Sequence, residues 1–216
     1  MKTYNKIIAL VAAGLACSAI TSHAALAPLA NGGSAVPPAT TPIFGALLAS
    51  TTQSYSFGGG TDTGTIESLV YASDTQAANT LGGYAFEYIV KVTTGDIAAL
   101  NLNGFGGIAS LLVGYVVGPT PGTSIAPATI GLATGIVNVH FVTGTPLTAG
   151  QTSTILIDTA VNTYGANNTG IQDNFPDGGA VIYAPVPEPT TIAAGALMLL
   201  PFGIGALRSL RKDRVA

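Results

Sequence analysis

The stretch "GYAFEYIVKV", Gly83 to Val92, limits the fold more than any other part of the chain. Tyr84, Phe86, Tyr88, Val90 and Val92 alternate with Ala85, Glu87, Ile89 and Lys91, so in an extended strand the first set shares one face and the second set the other. A stripe of aromatic and β-branched residues at period two needs a second sheet to cover it. "GTIESLVYAS", "SLLVGYVVG", "GIVNVHFVTG" and "STILIDTAV" follow the same pattern, and "GGAVIYAPV" reads as the closing strand. Gly, Asn, Asp and Pro separate these runs, and no body segment sustains a capped helical period. The expectation is all-β: a single β-sandwich, Ig-like or jelly-roll-like, over residues 52–184. Residues 25–51, rich in Ala, Pro, Thr and Gly, read as a leader with at most one edge strand.

Both ends of the 216 residues differ from this body. Lys2 and Lys6 flank a polar start, Ile7 to Ile20 is apolar, and small residues at Ser22 and Ala24 suit a signal peptidase. Residues 1–24 therefore read as a signal peptide, cut between Ala24 and Ala25. Cys17, the only cysteine, belongs to its apolar region, because Gly14 stands where a lipoprotein box has a large aliphatic residue. The mature chain would then have no thiol for a disulfide, a metal or a nucleophile.

Residues 185–216 hold three parts in order: Pro187-Glu188-Pro189, an uncharged run over 190–207, and a tail with Arg208, Arg211, Lys212 and Arg214. As a helix the run would be about 27 Å long, enough for a bilayer core. The basic cluster would hold the C-terminus in the cytoplasm and leave the body on the far side, as the signal peptide also requires. The prolines around Glu188 keep that segment extended and open to a processing enzyme. A permanent single-span anchor is the alternative reading.

These three parts closely resemble the PEP-CTERM sorting signal, over about the last 30 residues. The tail is longer than usual for that family and includes Asp213. The resemblance implies processing near Pro187–Pro189 by an exosortase, an integral-membrane protein, in a Gram-negative bacterium that makes extracellular polysaccharide. It implies an inner-membrane anchor before processing and a cell-surface or matrix location after it. "VHFVTGTPLTAGQTSTILIDTAVNTY" is similar to a stretch common in these proteins, which implies a secreted β-domain and no activity.

Charge excludes one class of partner. Between Ala25 and Pro189 nine acids face one base, Lys91, for a net charge of −8. No basic patch for nucleic acid can be assembled, and an anionic lipid surface is equally unattractive. Catalytic candidates are few. His140 is the only histidine left after the cut, and no Gly-x-Ser-x-Gly elbow occurs. "GFGGIAS" lacks the last glycine of a dinucleotide fingerprint. Glu67 and Glu87 are the only glutamates of the folded body and could act as a glycosidase pair, although tryptophan, a common sugar platform, is absent. Asp173, Asn174 and Asp177 lie in "IQDNFPDGG", where a Ca²⁺ loop is conceivable but an Asp/Asn–Gly turn is the expectation. Asn167 heads an Asn-Asn-Thr sequon by letter only. No cofactor is called for.

The expected partners are signal peptidase, exosortase, transiently the membrane, and extracellular polysaccharide. The leading reading is a non-enzymatic surface or matrix protein. A carbohydrate-binding module or adhesin using Tyr55, Tyr71, Tyr84, Tyr88 or Tyr115 is the first alternative, and a glycan hydrolase the second.

Overall fold

The structure, a computed structural model, describes residues 25–72, 81–118, 123–141, 145–173 and 175–186, with 172, 173 and 175–178 described through their backbone only. Among these residues the regular structure is all strand, apart from one 3-10 turn at Gly58–Gly60, with no α-helix. In chain order the strands are β1 (Ala27–Ala30), β2 (Ser34–Ala35), β3 (Ala39–Thr40), β4 (Leu47–Phe57), β5 (Asp62–Tyr71), β6 (Ala85–Thr94), β7 (Asp96–Ile97) and β8 (Ala99–Asn103). They continue as β9 (Ser110–Val116), β10 (Thr129–Ala133), β11 (Ile136–His140), β12 (Leu147–Thr148), β13 (Thr152–Asp158), β14 (Tyr164–Asp173) and β15 (Phe175–Pro185).

Two sheets carry the fold. One runs β1-β9-β13-β6-β5-β4, with β3 also on the edge of β9; the other runs β15-β14-β8-β11-β10-β2. A short β12-β7 pair stands beside them. All pairings are antiparallel except β3 with β9 and the isolated bridge of Ser124 with Thr152. Successive strands β8, β9 and β10 alternate between the sheets, as do β11, β13 and β14.

The expected stripe on β6 faces the core. Phe86, Tyr88, Val90 and Val92 are buried, and Tyr84 is half-buried. Ile66 and Val70 of β5 and Ile155 and Ile157 of β13 lie on the same side. Leu100, Leu102, Ile130, Val137, Val139 and Ile182 from the second sheet complete one shared core. Phe86 meets Phe105 edge-on at 6.3 Å between ring centroids, a favourable aromatic geometry. The polar groups inside are paired across the layers. Tyr88 donates its hydroxyl to the Tyr183 carbonyl at 2.7 Å, and Ser68 Oγ accepts from the Tyr183 amide at 3.1 Å. At one end, Asp62 accepts the Asp96 amide at 3.1 Å and the Thr61 hydroxyl at 2.8 Å, tying two turns together.

Two expectations need correction. Residues 25–51 are not a leader: they hold β1, β2, β3 and the start of β4, with Leu29 buried in the common core. Proline is tolerated there because β1 lies at a sheet edge, where a missing amide breaks no second ladder. The Asp/Asn–Gly turn expected in "IQDNFPDGG" is displaced: the segment is the tip of the β14–β15 hairpin, in which Asp173 pairs with Phe175, and Asp177 and Gly178 are residues of β15.

Candidate functional site on the outer face of the seven-stranded sheet

The face of the seven-stranded sheet turned away from the core brings the sequence-level candidates together. Its rows follow from register. Ser50, Leu69, Glu87, Leu156 and Gly114 lie opposite one another across β4, β5, β6, β13 and β9. The next row is Thr52, Glu67, Ile89 and Thr154, and the one after it Ser54, Thr65, Lys91 and Thr152. Glu67 and Glu87 therefore share one face of neighbouring strands in diagonal register. That spacing lets one carboxylate act on the other through space.

Part of this face is covered. Leu26, Ala85, Leu112 and Leu156 form a second apolar cluster, with Phe44, Tyr71 and Leu81 packed on it. Phe44 stacks on Tyr71 at 3.8 Å between centroids, with the rings 6° from parallel. Gly114 lets Leu26 lie close on the sheet, since a Cβ there would stand 2.5 Å from Leu26 Cδ2 and the leucine would have to shift. Glu87 lies at the border of the cluster and is only 8% exposed, although the alternation of β6 does turn it away from the main core. The two glutamates considered as a glycosidase pair thus differ in setting: Glu67 is half-buried and Glu87 is buried.

Tyr71 donates its hydroxyl to Glu87 Oε2 at 3.0 Å. Burial pushes the Glu87 carboxyl above its usual range; the Tyr71 hydrogen bond pulls it down, and the nearby charge of Glu67 pushes it up again. Burial and the carboxylates of Glu87 and Glu67 raise the Tyr71 phenol in turn. A carboxyl that keeps its proton to higher pH has the character of a general acid. In this arrangement, however, one of its oxygens is engaged by Tyr71 and its surroundings are apolar.

The raised Glu87 has a testable consequence. Folded Glu87 holds its proton to higher pH than the unfolded side chain, whose pKa is about 4.3. Below the unfolded value both states are protonated and the cost of burying a charge is absent. As pH rises through the folded value the cost develops in full. Glu87→Gln, which can still accept from Tyr71, is expected to raise the melting temperature at pH 7, with the gain shrinking towards zero near pH 4. A gain that is constant with pH, or a loss at pH 7, would remove burial of the charge as the cause.

The remaining candidates are dispersed. His140 ends β11, exposed, opposite Thr129 and Ala99. Tyr55 and Tyr88 are buried and so are not sugar platforms; Tyr55 donates to the Lys91 carbonyl at 3.0 Å. Tyr71, Tyr84 and Tyr115 are half-buried. Two tyrosines that the sequence did not single out join Tyr84: Tyr164 at 6.0 Å, and Tyr183 at 5.5 Å from Tyr164.

Among the described residues no three His, Cys, Asp or Glu side chains group as metal ligands. The side chains of Asp173 and Asp177, and Asn174 altogether, lie outside them, as do Ala24, Pro187, Glu188, Pro189, the 190–207 run and the basic cluster. EDTA is expected to leave the melting temperature unchanged; a drop of many degrees would assign a metal to the β14–β15 tip. Among the described residues no helix is long and apolar enough to cross a membrane. No protein-family model, no curated protein and no solved structure matches the chain.

Proposed function

We propose that this is an exported, exosortase-processed surface or matrix protein of a polysaccharide-producing Gram-negative bacterium, with a non-enzymatic structural or interaction role. The observation that carries this reading is the C-terminal sequence, in which Pro187-Glu188-Pro189, the uncharged 190–207 run and the basic cluster follow directly on one another. The body supports it: two antiparallel sheets around one core suit a compact domain that needs no cysteine outside the signal peptide. The covered and engaged state of Glu87 favours this role over glycan hydrolysis. Of the two expected topologies we read a jelly-roll-like one, because β8, β9 and β10 alternate between the sheets.

A carbohydrate-binding module or adhesin is the second reading. It draws on the hydroxyl-rich rows of Thr52, Ser54, Thr65, Thr152 and Thr154 around Glu67 and Lys91. A pull-down with the host's own polysaccharide separates it from the first. The mass of the mature protein from its native host tests the main proposal. The expected species lacks residues 1–24 and the segment from about Thr190 onward. Most molecules retaining 191–207 would make the tail a permanent anchor.

A further inference from the structure

The chain leaves the fold at one end of the sandwich, and that end has a distinctive surface. β15 closes at Pro185, opposite Tyr164. Val186 is fastened one residue further on: its amide donates to the Thr163 carbonyl at 3.1 Å, and the Thr163 hydroxyl donates to its carbonyl. Register maps the rest of this end. Tyr164 packs on Tyr84; the next residue, Ala85, lies opposite Tyr71, which lies opposite Leu47. Ile43 precedes Phe44, whose ring covers Tyr71.

Four of the large apolar side chains exposed among the described residues therefore gather here: Ile43 at 48%, Leu47 at 54%, Leu48 at 40% and Val186 at 47%. The half-buried Tyr84, Tyr164 and Tyr183 stand among them. Of the acids near this end among the described residues, Asp158 is fully buried and Glu87, which accepts from Tyr71, is 8% exposed. Asp62, Asp96 and Lys91 are placed towards the opposite end. Asp74, between β5 and β6, lies outside the described residues.

We infer that this end of the sandwich rests on the headgroup layer of the bilayer while 190–207 remains attached. The inference depends on the proposed membrane-spanning role of that run. Four residue steps separate Val186 from Thr190, so even fully extended they reach only about 14 Å. The headgroup layer on one side fills about 5–7 Å of that distance. A folded end held this close must face the lipid surface, and its aromatic and aliphatic side chains, with no exposed charge among the described residues of this end, suit that zone. From Ala85 to Thr93 β6 rises about 26 Å, so the charges of the far end lie well beyond a Debye length of about 8 Å. Those far-end charges then oppose the contact little.

The test uses the full chain carrying Cys17→Ser, in phosphatidylcholine vesicles containing a headgroup nitroxide lipid. A fluorophore is placed at Ile43→Cys or, as the distal reference, at Thr93→Cys; both positions are exposed. Quenching at position 43 is expected to exceed that at position 93 by at least about threefold, given the thickness of the headgroup layer. Adding Leu47→Glu and Leu48→Glu is expected to bring position 43 close to the distal value, with the circular dichroism spectrum unchanged. Alkaline carbonate extraction separates the two levels of failure. If the chain stays embedded and both positions are quenched alike, the spanning reading stands and the docking is overturned. If carbonate releases the chain, the spanning reading falls and the docking falls with it.

Discussion

Replacing Phe86 with alanine is expected to destabilise the fold by about 3–5 kcal/mol, through lost burial and the cavity left behind. Phe86 sits on β6, flanked on both sides by β5 and β13, opposite Val70 and Ile157. All three side chains are fully buried, and the ring also meets Phe105 from the loop after β8. The hole would therefore open at the centre of the sheet, among residues held by ladders on two sides and unable to collapse into it. A urea titration reads the effect as a lower midpoint with an unchanged slope. A loss below about 1 kcal/mol would mean that the site relaxes freely, against the tight packing described for β6.

The second large effect concerns the segment first expected to be a leader. Leu29→Ala is expected to lower stability by about 2–5 kcal/mol, the range for a buried leucine. Leu29 lies opposite Leu111 on the edge of β9 and belongs to the common core. Shortening the chain has a stronger outcome. A fragment of 25–186 is expected to unfold cooperatively, whereas one of 52–186 loses β1, β2, β3 and the first half of β4, exposing the β9 edge and the cluster that Leu26 and Phe44 cover. Circular dichroism melts of the two fragments make the comparison. A sharp β-type transition for the shorter one would restore the leader reading.

Why the sequence disclosed β6 and concealed β1 and β4 is a matter of side-chain chemistry. Phe86, Tyr88 and Val90 advertise a buried face because aromatic and β-branched residues recur at period two. β1 reads Ala-Pro-Leu-Ala, with one large apolar residue, and only its place at an edge makes its proline acceptable. β4 has Ser or Thr on five of its 11 positions and two adjacent exposed leucines, so no alternation is visible until Tyr55 and Phe57. β14 runs through Asn167, Asn168 and Gly170, which alone suggest a turn; its long antiparallel match to β15 supplies what its composition lacks. The outer-face site was half legible. Alternation turned Glu67 and Glu87 each away from the apolar face of its own strand, and the register of β5 with β6 then brought them to one face. The burial of Glu87 depends on Leu26 and Phe44 folding back over the sheet, a long-range event that period-two reasoning does not contain.

The hydrogen bonds converging on Tyr183 also govern when the molecule can close. Its carbonyl receives hydroxyls from Ser68 and Tyr88, 115 and 95 residues earlier in the chain. Contacts of such sequence separation carry a large loop-closure entropy, and folds dominated by them assemble in milliseconds to seconds, not microseconds. β5 and β6 cannot have their inner hydroxyls satisfied by β15 until residue 183 is present. Closure of the two sheets on one another therefore waits for the last strand, however early β5 and β6 pair.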